Sequence, residues 1–311
     1  MRAVAAQVFM ASGGIGMKGP YKKAVVGVVV VMILTSTAGS AAPLEVFVSI
    51  APQAYLVERI GGEHVTVNVL LAAGREPHTF EPTPKQVMGL GRARLYFQVG
   101  TLPFERRLAK KLAGGNTGLV AVDTSKGVRL RPLEAHDPHV VDEHRAGLSD
   151  PHIWLGPRSI AVQARNIDQA LSRVDQGHAR VFKKNLEGLL EELARVDAGI
   201  RKVLAPYQGR TVYVFHPSFG YFTDAYGLKQ RAVEIHGKTP SPRQIQSLIR
   251  EAKADGVRVI FVQPQFDKSS AEVVARAIGG VVAPVDPLAR DLLGNLRDMA
   301  GKIEGGFAGE S

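Results

Sequence analysis

Short apolar runs recur along this chain with stretches of mixed polarity between them, and that alternation limits the fold more than any other feature. Leu44–Ile50, Val65–Leu71, Leu95–Val99 and Leu119–Val122 read as strands, while Gln53–Ile60 and Phe104–Leu112 suit helices. A second set follows at Thr211–Phe215, Ala232–Ile235, Val257–Val262 and Val281–Val285. Strands that are nearly continuous apolar runs and alternate with helices belong to parallel sheets covered on both faces. The expected fold is α/β, with two similar lobes, each a parallel four-stranded sheet flanked by helices. A length of 311 residues also exceeds what one core usually holds.

Between the two sets, Arg158 to Tyr207 carries no strand signal. Leu186, Leu189, Leu190, Leu193, Val196 and Ile200 recur at three- and four-residue steps, one face of a helix, and Pro206 stops it. A helix over 178–205 would span about 40 Å and serve as a rigid connector. The expected organisation is a leader over 1–42, an N-terminal lobe over 43–157, a helical segment over 158–207 and a C-terminal lobe over 208–311.

Lys18, Lys22 and Lys23 precede an apolar run from Ala24 to Leu34, and small residues follow up to Ala42. That run is short for a membrane span of about 20 residues but suits a signal-peptide core. Cleavage after Ala41 or Ala42 is chemically reasonable, and a periplasmic protein is expected. Residues 1–16 are unlike the positive end of a leader, so Met1 and Met17 stand as alternative starts. Arg2 and the three lysines supply four of the net ten positive charges. The remaining Lys and Arg are scattered, without the clustered footprint of nucleic-acid binding.

The chain has no cysteine, so any metal site must use His, Asp, Glu or backbone oxygens. Nine histidines are present. His78 lies in the loop after Val65–Leu71, His216 follows the strand Thr211–Phe215, and His152 sits in the turn Asp150-Pro-His-Ile-Trp-Leu. Asp286 ends the strand Val281–Val285. In open α/β sheets ligands bind beyond the carboxyl ends of the strands, where these residues fall. They lie far apart in sequence, two from each half, so a site using all four must lie between the lobes. Three imidazoles and a carboxylate suit tetrahedral Zn²⁺, whereas manganese, calcium or magnesium prefer more oxygen. Spacing alone leaves four unrelated polar residues as an equal alternative.

Several ordered stretches carry a resemblance. They are Val48-Ser-Ile-Ala-Pro, Ile60-Gly-Gly-Glu-His-Val, Pro77-His-Thr-Phe-Glu-Pro-Thr-Pro, Gly100 to Glu105, Asp150-Pro-His-Ile-Trp-Leu, Phe215-His-Pro-Ser-Phe-Gly-Tyr-Phe, Glu234-Ile-His-Gly-Lys, Phe261-Val-Gln-Pro-Gln-Phe and Val285-Asp-Pro-Leu. From Val46 to Ile303 the chain resembles the metal-binding receptors of zinc and manganese ABC importers, the ZnuA/TroA-like family of solute-binding proteins. The resemblance implies two α/β lobes joined by a long helix, with His78, His152, His216 and Asp286 as ligands. It also implies a divalent metal as cargo, a membrane permease as partner, and no catalysis. Manganese receptors typically have glutamate at the third ligand position, so His216 points to zinc. His136, His139 and His144 lie where zinc-type members carry a His-rich loop, and the whole of 134–149 reads as a long polar loop. Glu76 stands where aspartate is common and is a candidate accessory oxygen ligand. Gly156 replaces a frequent aspartate yet permits a helix start with Pro157 at the first position. His64 and His178 are expected at the surface, and a monomer is expected. The competing readings are a manganese or iron receptor, a secreted zinc hydrolase and an adhesin. A hydrolase would want three ligands, an activated water and a base such as Glu76 or Glu81.

Overall fold

The computed structural model describes residues 42–112, 118–133, 149–234 and 240–309. The leader, apart from Ala42, therefore lies outside the described residues, as do His136, His139, His144 and His236. In the first lobe β1 (Leu44–Val48), α1 (Ala51–Gly61), β2 (Val65–Val69), α2 (Pro84–Leu90), β3 (Leu95–Gln98), α3 (Pro103–Leu112) and β4 (Val120–Asp123) alternate as expected. The strands pair in the order β2-β1-β3-β4, all parallel. The second lobe repeats the pattern. Its elements are β5 (Thr211–Val214), α6 (Gly220–Ala225), β6 (Lys229–Ala232), α7 (Pro242–Ala254), β7 (Val259–Val262), α8 (Ser269–Ile278), β8 (Val281–Pro284) and α9 (Leu292–Ala308). Its strand order is β6-β5-β7-β8, again all parallel. The chain adds β2 on one side of β1 and β3 on the other, and likewise β6 and β7 on either side of β5, so each sheet has a topological switch point with a crevice at the carboxyl ends of its central strands.

One strand differs from expectation. β6 covers Lys229–Ala232, three residues before the apolar Ala232–Ile235. It is an edge strand with only Ala232 buried, and a half-exposed edge does not require an apolar run. Val233 and Glu234 still extend the pairing, donating to Val214 O and Phe215 O at 2.8 and 3.0 Å.

Between the sheets lie α4 (Pro157–Val174) and the 26-residue α5 (Ala179–Leu204). Gly156 is the N-cap residue of α4, and Pro157 opens it. One stripe of α5 is buried, from Phe182 through Leu186, Leu189, Leu193, Val196 and Ile200 to Leu204. α5 packs against α1 of the first lobe, against α4, and against α9 at the end of the chain. A single apolar cluster consequently runs from Val46 on β1 through α5 to Ile303 on α9. A smaller cluster fills the other face of the second sheet, around Tyr213, Ile260 and Val274. Burying one stripe of a long helix against both lobes is what makes the connector stiff. His64 and His178, placed at the surface by the sequence, are half-buried and stack on each other at 3.8 Å.

Glu105 organises the turn after β3. Its carboxylate accepts from the Ser49 hydroxyl and from the amides of Val99 (2.6 Å), Gly100 (2.8 Å) and Leu102 (3.3 Å). Gly100 has φ +91, and a Cβ there would meet Asp123 Oδ1 at 1.9 Å, so only glycine makes this turn. Burial pushes the Glu105 carboxyl up to about 7 against the pull of those hydrogen bonds. Both carboxylate oxygens act as acceptors, so an amide cannot replace them without facing donor to donor. At pH 8, Glu105→Gln is expected to destabilise the chain by about 2–4 kcal/mol in urea unfolding. An unchanged midpoint would show that the network contributes nothing.

Candidate metal centre

The loops that leave the carboxyl ends of the two sheets bring three imidazoles together. Nε2 of His78 lies 3.3 Å from Nε2 of His216, which lies 3.4 Å from Nε2 of His152. The three residues offer ligand atoms within 4.8 Å of one another. Tetrahedral zinc–imidazole bonds of about 2.0–2.1 Å separate adjacent donor nitrogens by ~3.3–3.4 Å.

The outward nitrogens explain why the inward ones face each other. His152 Nδ1 meets Asp150 Oδ1 at 2.8 Å, and His216 Nδ1 meets Glu234 Oε1 at 2.8 Å. Both carboxylates are buried. A carboxylate partner assigns the proton to Nδ1 and leaves the Nε2 lone pair pointing inward. Two neutral rings in this tautomer cannot hydrogen-bond to each other through Nε2. Their close approach suits a shared cation.

Each ligand candidate is also anchored through its backbone. Gln263, fully buried, accepts from His216 N at 3.1 Å and donates to His216 O at 2.6 Å. Asp150 accepts from His152 N at 2.9 Å. Glu76 accepts from His78 N at 2.6 Å and Thr79 N at 2.7 Å. Phe266 stacks on His216 at 4.7 Å, and Trp154 stands edge-on to His152 at 5.3 Å. Trp154 also donates to Pro287 O at 2.8 Å, tying the His152 turn to the loop after β8.

Asp286 is on that loop but outside the group of three. Its Oδ1 accepts from Gln265 Nε2 at 2.7 Å and Leu288 N at 2.9 Å. Oδ2 makes no hydrogen bond among the described residues, so it is the oxygen able to turn toward a metal. Glu76 also lies outside the group, with Oε1 4.0 Å from His78 Nε2. Its oxygens are already used by the backbone of its own turn.

Sequence reasoning missed the residues behind the imidazoles. Asp150 and Glu234 were visible only as parts of motifs, and Arg131 carried no signal at all. Asp150 Oδ2 accepts from Arg131 Nη1 at 2.8 Å, and Arg131 Nε donates to Asp224 of α6 at 2.9 Å. The chain His152–Asp150–Arg131–Asp224 thus links the loop after β4 to the second lobe. Gly220 permits it, since a Cβ there would meet Arg131 Nη1 at 1.5 Å and Asp150 Oδ2 at 2.7 Å. Burial alone would raise the Asp150 carboxyl, but His152 and Arg131 hold it below the usual range. Burial lowers the His152 ring, only partly offset by Asp150.

Because His152 resists protonation when folded, the unfolded chain binds the proton more readily. Its contribution to stability therefore falls as pH drops below the unfolded value of about 6.5. In the metal-free protein, NMR is expected to show His152 titrating below the free-histidine value; a midpoint above it would contradict this burial. Gly220→Ala is expected to break the Arg131–Asp150 pair and destabilise the chain by about 3–5 kcal/mol. A thermal unfolding curve matching the unsubstituted protein would refute that.

The chain matches the family described as "Zinc-uptake complex component A periplasmic" (ZnuA) over residues 46–305. It is 27% identical over 259 residues to the high-affinity zinc uptake system protein ZnuA of Paracoccus denitrificans, covering 72% of this chain and 76% of that one. A crystal structure of ZnuA superposes with a TM-score of 0.79 at 34% identity, covering 85% of this chain and 99% of that one. A ZnuA deletion variant with zinc bound gives 0.78 at 34% identity, covering 85% and 98%. With two parallel four-stranded sheets, a long helix between them and a family match over most of its length, this chain belongs to the ZnuA family.

Proposed function

We propose that this chain captures Zn²⁺ outside the cytoplasm and delivers it to the membrane permease of an ABC-type importer. The observation that carries the reading is the trio of Nε2 atoms, spaced 3.3 and 3.4 Å, with two of the rings backed by buried carboxylates. His78, His152 and His216 supply the nitrogens, and Asp286 supplies the fourth ligand by rotating Oδ2 inward. A nitrogen-rich set favours zinc over the oxygen-seeking metals. Four protein ligands leave no open position for a substrate or activated water, so the reading is of a binding protein and not an enzyme.

Zinc is cargo, so binding must be reversible. Asp286 comes from the second lobe and His78 from the first, so any separation of the lobes removes ligands. α5 acts as the stiff spine between the lobes, which divide near 157 and 208. The leader over 1–42 would direct the chain to the periplasm, where it works as a monomer. Among the described residues no helix is long and apolar enough to cross a membrane. His136, His139 and His144 are read as an accessory capture segment, separate from the tight site.

Elemental analysis after competitive exposure to zinc, manganese and iron is expected to find one tight equivalent of zinc, absent in His216→Ala. Retained manganese or iron would overturn the metal, and no tight metal would overturn the receptor reading. Asp150→Asn and Glu234→Gln are each expected to weaken zinc binding about 10–100-fold by loosening ring orientation. Affinity is expected to fall as pH drops below about 6.5, because ligation requires neutral rings. Removing residues 134–149 is expected to leave the tight equivalent in place; its loss would place a ligand in that segment.

A further inference from the structure

A cavity of about 380 Å³, lined by none of the three imidazoles, opens at the N-terminus of α4. Its walls come from the loop after β4, from α4, from α5 and from α6. Arg129, Arg158 and Arg201 line it, with Asp197 and Asp224.

The charges do not cancel. Asp197 is paired with Arg201 at 3.2 Å, and Asp224 with Arg131 at 2.9 Å. Arg129 and Arg158 are exposed and form no ion pair or hydrogen bond with any described residue. Two unmatched guanidinium groups therefore face one recess.

The helix terminus adds donors. The N-cap of α4 is Gly156, which has no side chain to cap the first turn. Pro157 has no N–H, which leaves the amides of Arg158 and Ser159 as the free donors of that turn. Ser159 is only 7% exposed, lines the cavity, and its hydroxyl finds no partner among the described residues. With the rest of its side chain buried, this hydroxyl is held in place at the cavity wall and is available to a ligand. Backbone amides at the positive end of an 18-residue helix, a free hydroxyl and two arginines form a donor set for an oxyanion.

We propose that this cavity binds a phosphate-type oxyanion, held by the amides of Arg158 and Ser159, the Ser159 hydroxyl and the guanidinium groups of Arg129 and Arg158. The cavity is larger than a single phosphate, so the ligand carries the anion on a small organic body or a lipid headgroup. The site contains none of the three imidazoles, though Asp224 in its wall is the far end of the chain behind His152, and the proposal does not rest on the zinc reading.

The test is calorimetric titration of the purified, metal-free chain with inorganic phosphate at low ionic strength, beside a flotation assay with phosphatidic acid vesicles. One saturable phosphate site is expected. Arg129→Ala/Arg158→Ala should weaken it about tenfold or more, and Ser159→Ala several-fold. Zinc stoichiometry measured on the same variants reports that the fold is intact. Binding only to vesicles, lost in the double arginine variant, assigns the lipid as the source of the phosphate. Absence of saturable binding to either probe, or equal binding by the double variant, overturns the proposal.

Discussion

Everything at the lobe junction depends on holding imidazole rings in one tautomer with their lone pairs aimed at a common point. Neutral rings 3.4 Å apart gain nothing from each other in that arrangement. The arrangement persists because Asp150 and Glu234 grip the opposite nitrogens from buried positions. A buried carboxylate without a partner is severely destabilising, so each needs its own charge or donor. For Asp150 that partner is Arg131, and Arg131 fits only because position 220 lacks a side chain.

The fold supplies the rigidity behind this. Parallel strands end in loops at the same edge of each sheet, and the loops after β2 and β5 bring His78 and His216 together. Gln263 at the end of β7 clamps the backbone of His216, and Trp154 pins the His152 turn to Pro287. The buried stripe of α5 keeps the two sheets at a common spacing. The geometry of the imidazole trio thus rests on main-chain anchors and helix packing more than on the rings themselves.

Under the proposed function, zinc capture and zinc release would make opposing demands on such a site. Asp286 differs from the histidines in that Oδ1 is tied to Gln265 and Leu288, while Oδ2 makes no hydrogen bond among the described residues. The link from His152 through Asp150 and Arg131 to Asp224 gives the second lobe a direct hold on a ring contributed from the connecting turn.

The sequence by itself determined the architecture. The inner strands β1, β3, β5 and β7 announce themselves as apolar runs because both faces of a parallel sheet are covered, while β6 shows that an edge strand can form without such a run. The helical stripe of α5 is equally legible, since 3.6-residue periodicity is a local property. The histidines and Asp286 were visible as candidates because each follows a strand or opens a turn. Only the tertiary structure decided which of them meet: three rings converge, while Asp286 and Glu76 are not part of that group. It alone also disclosed Arg131, Gln263 and the need for glycine at 220. Those contacts join residues distant in sequence, and they depend on side-chain direction across packed surfaces, which no local pattern encodes.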